Sequence, residues 1–388
     1  MHAAESISWR RRDAIRIHND LVEIIALTKG GHMAEFRFLE RPGMSAQNVL
    51  WEAPWMSPHS NLGQTGEREE TGGFTGHALC LDYFGAPSPK EAAKGLPIHG
   101  EAAALRWDVT ETGHETASGC RWQVDLPYAQ LQFARTMNVH DSESVVRVEE
   151  TVHNLRDSHH SCHWVQHVTF SPPFLSAEES SLSVSATRGI TAPSPYDGGS
   201  LLAVDQEFTW PFAPDACDSQ KSVDLRRPFS MKGRGCLAAV RLDPRRNLEF
   251  LLATNWKQRV GMGYCFRQSD FPWLAIWEEN CSRPEPPWNG NTQARGMEFG
   301  TTPLPLGRNE MKRRGDLFDT PTSCVIPALG HRTARYLMFL FMIPSTIHSI
   351  QDTRVEGDRI VLIAEDGSFF SIPAFSCQDF LSRSENSR

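Results

Sequence analysis

No stretch of this sequence is apolar for long enough to cross a bilayer as a helix. The longest apolar run, Tyr336 to Ile343, falls far short of the roughly 20 residues that such a span needs. The first twenty residues carry charge throughout and lack an apolar segment, so no secretory signal is expected. There is no Cys-x-x-Cys either. Nine scattered cysteines, an odd number, fit buried or free thiols in a reducing compartment and do not support a zinc ribbon or a redox dithiol. A basic face is also missing. Lys and Arg total 39 against 47 Asp and Glu, a net charge of -8 that repels a phosphate backbone. One short basic cluster, Arg10 to Arg12, does not alter that balance. The expectation is a cytoplasmic protein with neither nucleic acid nor membrane as partner; the oligomeric state is not legible.

Helical periodicity is scarce as well, with Pro89 to Lys94 the clearest helical turn. Strand signals dominate instead. Leu131, Phe133, Met137 and Val139 share one parity and Gln130, Gln132, Asn138 and His140 the other, the period-two pattern of a half-buried strand. After the polar turn Asp141-Ser142, Val146, Val148 and Val152 alternate with Arg147, Glu149 and Thr151, so the two segments should pair as a hairpin. Ile360 to Ile363 and Phe369 to Ile372 flank Asp366-Gly367, which favours a tight hairpin. Leu337 to Ile343 reads as a strand buried on both faces. With 25 Pro and 28 Gly spread between short strands, the fold class is all-β, a large antiparallel β-sandwich. No internal repeat or low-complexity linker appears. Ser194 to Ser200 and Arg283 to Asn291 read as loops. A single domain over residues 1–388 is expected, with a polar, disordered tail beyond about Gln378.

Three segments carry the chemistry. Tyr83-Phe84-Gly85 is followed by Leu96-Pro97-Ile98-His99-Gly100-Glu101-Ala102 and then Trp107. Val152-His153-Asn154 ends a strand and precedes Trp164-Val165-Gln166-His167-Val168-Thr169-Phe170. Arg295-Gly296-Met297-Glu298-Phe299-Gly300 lies late in the chain. In this order and at these separations, over roughly Gly30 to Phe341, they resemble the aldose 1-epimerase (galactose mutarotase-like) superfamily. The layout is most similar to the branch of glucose-6-phosphate 1-epimerases. The resemblance implies an isomerase that interconverts sugar anomers without cofactor or metal. A base takes the C1 hydroxyl proton while an acid protonates the ring oxygen, with one group on each side of the sugar. By resemblance Glu298 is the base, His167 the acid, and His99 holds or polarises the ring oxygen. Trp277, Trp273, Arg295 and His77 are the expected substrate contacts, and the partner is a small-molecule sugar.

Each residue also fits a plainer role. His167 suits a buried strand, Glu298 the solvent face of one, and His99-Gly100 an ordinary turn. Most of the eleven Trp suit a sandwich core, though an indole face also stacks on sugar C–H groups. Trp277 beside Glu278, Glu279 and Asn280 resembles a site rim. His159 and His160 read as a turn, while His163 and His167, four apart on a strand, stand over ~10 Å apart and cannot share one ion. Where the phosphosugar branch has Arg-Gly-Gly before its Phe-Gly, this chain has Phe74-Thr75-Gly76-His77. Arg68, Arg283 or Arg295 could take the missing arginine's place. The rival reading is a non-catalytic carbohydrate-binding protein on the same fold.

Overall fold

Alternation along the chain becomes strand pairing in the computed structural model, which describes residues 3–41, 46–56, 74–113 and 116–383. Leu131–His140 and Val145–Asn154 form the expected hairpin, in register from Leu131 opposite Asn154 to Val139 opposite Val146. Leu131, Phe133, Met137 and Val139 are buried; Gln132, Asn138 and His140 are only half-buried. The second expected hairpin pairs Arg359–Ile363 with Phe369–Pro373 around Gly367, at φ 82°. Pro89–Ala92 is a short helix, as expected.

The strands assemble into two large antiparallel sheets. One has fourteen strands, and its middle runs in the order Met33–Phe38, His77–Asp82, His160–Phe170, Gln293–Gly300, Trp273–Asn280, Arg234–Leu242. The other has eight strands, with Val260–Arg267, His331–Met342, Val145–Asn154 and Leu131–His140 at its centre. Leu79, Leu81, Val168, Met297 and Phe299 from the first sheet pack on Phe133, Val148, Tyr264, Tyr336 and Met338 from the second. This is a β-sandwich. A polar network is enclosed within it. Arg135 pairs with Glu150 at 2.7 Å, and Trp164, Gln166 and Tyr336 also donate to the Glu150 carboxylate.

A third, three-stranded sheet, Asp352–Glu356, Arg359–Ile363 and Phe369–Pro373, covers the outer side of the eight-stranded one. Its Ile360 and Leu362 pack on Leu337, Phe339 and Phe341, while Tyr336, Met338 and Leu340 face the sandwich. The strand read as buried on both faces owes its second face to this layer. The tail departs from expectation. Order continues past 378 in a helix, Cys377–Ser382, because Cys377 and Leu381 are buried in the same apolar layer. Residues 384–388 of that expected tail lie outside the described residues. No helix among the described residues is long and apolar enough to cross a membrane.

Candidate active site

Register across the fourteen-stranded sheet places the candidate residues. Ala78, His167, Glu298 and Ala275 stand directly opposite one another on four adjacent strands, so their side chains leave the sheet on one face. His77, Val168, Met297 and Ile276 form the next row and point the other way, into the sandwich. The two alanines leave lateral room for the His167 and Glu298 side chains. Gly296 leaves room along the strand, since a Cβ there would come within 2.3 Å of Glu298 Oε1.

His167 Nε2 and Glu298 Oε1 are 3.1 Å apart. They touch without hydrogen-bond alignment, and Oε1 has no hydrogen-bond partner among the described residues. His167 Nδ1 contacts the Thr169 hydroxyl at 3.1 Å. Both groups are buried, with 6% and 2% of their surface exposed. Burial pushes the Glu298 carboxyl well above the ordinary carboxylate range. Burial, reinforced by His99, pushes His167 well below the ordinary imidazole range. Both shifts act against the charged forms of the pair. The two groups lie in contact in the structure, where an arrangement with one on each side of a sugar would hold them apart.

His99 arrives from a loop and faces the pair, its ring centroid 5.7 Å from that of His167. The backbone fixes it from three directions. Its N–H donates to Gly85 O, its carbonyl accepts from Leu81 N–H, and its Nδ1 accepts from Gly85 N–H at 3.2 Å. Burial lowers its pKa to about 4, so the ring is neutral. With Nδ1 accepting, its proton resides on Nε2, the atom left to act as donor. The His-Gly turn requires left-handed backbone, φ 65° at His99 and 87° at Gly100. A Cβ on Gly100 would lie 1.9 Å from Leu81 O, so only glycine fits.

Aromatic rings enclose this trio. Phe74 stands edge-on to His167 at 4.4 Å between centroids and 5.7 Å from His99. Trp277 lies 5.9 Å from His167, and Trp51 stacks parallel to Trp288 at 6.4 Å. Trp277 Nε1 donates to the Tyr196 hydroxyl at 2.7 Å, which donates in turn to Glu279. The guanidinium of Arg283 lies over both Tyr196 and Trp288, at 4.8 and 4.7 Å.

Four of the seven expected site residues therefore gather here: His99, His167, Glu298 and Trp277. Three do not. His77 lies on the opposite face, bonded to Gln166 and Tyr264 inside the sandwich, because it is one residue out of phase with Ala78. Arg295 is three residues from Glu298, hence on the opposite face, where it pairs with buried Glu278 at 2.7 Å. Trp273 shares the face of Glu298 but is fully buried, its Nε1 donating to Pro321 O. His160 is not in a turn; it opens the strand His160–Phe170 and bonds Asp82 at 2.6 Å. Arg68 lies outside the described residues. Sequence reasoning gave no role to Phe74 or Tyr196. Each is an aromatic in a segment without strand alternation, which is the only signal that could have singled it out.

Searches with family models and against curated proteins find no match. Solved structures do match. A candidate aldose 1-epimerase of Klebsiella pneumoniae superposes with a TM-score of 0.60 at 15% identity, over 86% of this chain and 80% of that one. A galactose mutarotase-like protein of Clostridium acetobutylicum gives 0.59 at 12% identity, over 88% and 99%. A galactose mutarotase related enzyme of Lactobacillus acidophilus gives 0.54 at 13%, over 84% and 97%. The chain thus has the galactose mutarotase-like β-sandwich fold, and at these identities the likeness speaks for the fold alone.

Proposed function

We propose that this protein is a cofactor-independent aldose 1-epimerase, with Glu298 and His167 exchanging protons at the anomeric centre. The observation that carries the reading is the 3.1 Å contact of an isolated, buried carboxyl and imidazole on one sheet face, ringed by aromatics. Once a sugar and its hydroxyls enter, the carboxylate form of Glu298 accepts the C1 hydroxyl proton while a proton passes through His167 to the ring oxygen. The C1–O5 bond breaks, C1 becomes a carbonyl, rotation exposes its other face, and the reverse transfer recloses the ring. The proton lost at C1 equals the one gained at O5, so the cycle needs no metal or nucleotide. In this reading His99 Nε2–H donates to the ring oxygen as it gains charge. The indoles supply faces for the sugar's C–H groups. A sugar reaching the pair must displace the Phe74 ring from His167.

Burial raises Glu298 and lowers His167, so both shifts favour a carboxyl that can give up a proton and an imidazole that can take one. Polarimetry of freshly dissolved α-glucose, α-galactose and their 6-phosphates tests the reading. Acceleration of at least one over the spontaneous rate is expected. Binding of a sugar without acceleration of any would favour the carbohydrate-binding alternative.

A further inference from the structure

Thr169 lies two residues beyond His167 on the strand His160–Phe170, so the two side chains leave the sheet on the same face. Its hydroxyl contacts His167 Nδ1 at 3.1 Å, and His167 is the one side chain that this hydroxyl meets in a hydrogen bond among the described residues. Thr169 is completely buried. Its backbone is tied on both sides, the N–H donating to Gly76 O and the carbonyl accepting from Trp51 N–H. These bonds anchor the segments that bring Phe74 and Trp51 to the candidate site. Directly opposite Thr169 stands Gly296, where a Cβ would come within 2.3 Å of Glu298 Oε1. Both members of the pair therefore lean toward one row of the sheet, Glu298 over Gly296 and His167 over Thr169.

A neutral imidazole has one N–H and one lone pair. In the proposed exchange Nε2, the nitrogen 3.1 Å from Glu298 Oε1, must take a proton and pass it on. It needs its lone pair for that, so the resident proton has to sit on Nδ1, and an N–H buried there needs an acceptor. The Thr169 hydroxyl can accept. The ring also lies against its own backbone carbonyl, an oxygen that can only accept. Of the two ring nitrogens, Nδ1 is the one close enough to the main chain to reach that oxygen. Both polar neighbours of Nδ1 thus suit an N–H. While the ring carries a second proton on Nε2, the same bond to Thr169 holds it in place.

We infer that Thr169 is a positioning residue, its hydroxyl accepting the Nδ1–H of His167 and so keeping the Nε2 lone pair turned to Glu298 and the anomeric centre. Its part in turnover rests on the proposed epimerase reading, whereas the tautomer can be read without any sugar. Long-range proton–nitrogen NMR correlations distinguish the two neutral tautomers, and the His167 signals are identified by their loss in His167→Asn. Wild type at mildly alkaline pH should carry the proton on Nδ1. Thr169→Val keeps the shape and removes the acceptor, so a measurable fraction of the ring should move to the Nε2–H form. Thr169→Ser should hold Nδ1–H as wild type does. On a confirmed substrate Thr169→Val should lower kcat about tenfold, the usual worth of one neutral hydrogen bond, with KM within about twofold of wild type. Thr169→Ser should recover most of that loss. A wild-type ring with a proton on Nε2, alone or with a second on Nδ1, would overturn the role, and that result needs no variant to fold. So would a Thr169→Val protein that keeps the wild-type tautomer, or a loss of kcat that Thr169→Ser does not recover. A tautomer that follows the hydroxyl through these variants, in a protein that accelerates the anomer exchange of no sugar, would keep the positioning of His167 and remove the epimerase reading.

Discussion

Replacing Glu298 by Gln separates proton transfer from shape. The side chain is 2% exposed and its Oε1 has no hydrogen-bond partner, so an amide of the same volume fits the same space. An amide cannot accept the C1 hydroxyl proton. Turnover should fall by about 10²–10⁴, or roughly 3–5 kcal/mol of barrier, the usual worth of one positioned acid or base. Sugar affinity, measured by calorimetry, should change little, because the aromatic walls remain. Stability supplies an independent readout. Because burial raises the folded-state pKa of Glu298, its contribution is complete below the ordinary carboxylate range and is lost as pH rises through the raised value. The Gln variant carries no such group. Its denaturant midpoint should match wild type at acid pH and exceed it increasingly as pH rises above that range. A variant with wild-type turnover on a confirmed substrate would show that Glu298 is not the base. A variant less stable than wild type at alkaline pH would refute the upward shift of the Glu298 carboxyl.

His167→Asn should lose turnover to a similar degree, and the Glu298→Gln/His167→Asn double variant should be little worse than either single in the same polarimetric assay, since the two groups act in one exchange. Arg295→Met should destabilise the fold by about 3–5 kcal/mol by leaving Glu278 buried and unpaired, and Glu278→Leu added to it should recover much of the loss in urea unfolding. Neither should change KM for a sugar, because both residues face the sandwich interior. Gly100→Ala should cost at least ~1 kcal/mol in the same unfolding assay, and turnover should fall with it, because the added Cβ meets Leu81 O and displaces His99.

What the sequence made legible follows from periodicity. The hairpin at 131–154, the one around Gly367 and the two-sided burial of Leu337 to Ile343 are all written in alternation and turn residues, and all appear in the structure. The candidate trio was legible for a different reason, the resemblance of three ordered segments to a known family. The structure adds why two of those segments carry glycine, at the left-handed turn His99-Gly100 and beside Glu298 at Gly296. Arg295 shares parity with Met297 and Phe299, against Ala294, Gly296 and Glu298, which excludes it from the face of Glu298. His77 was not resolvable in this way, since which of two adjacent strand residues faces the core depends on pairing with His160–Phe170.

Other features depend on contacts between segments distant in sequence. The stacking of Trp51 on Trp288 and of Phe74 against His167 joins loops to the sheet face and leaves no local pattern. The tail's helix is held by Cys377 and Leu381 against the outer apolar layer, a surface whose existence depends on the third sheet. Polar composition alone made that segment look unfolded. The Tyr196 loop reads as a Pro/Gly-rich connection, and its link to Trp277 is visible only in three dimensions.

The most direct test of the central claim is anomer exchange itself, followed by NMR on C1-labelled glucose, galactose and reducing disaccharides at equilibrium, with chelator present and no nucleotide. Wild type should transfer magnetisation between α and β C1 signals of at least one of these sugars faster than the buffer does, and the Glu298→Gln/His167→Asn variant should not. Exchange that stays at the buffer rate for every sugar the protein demonstrably binds would contradict the account.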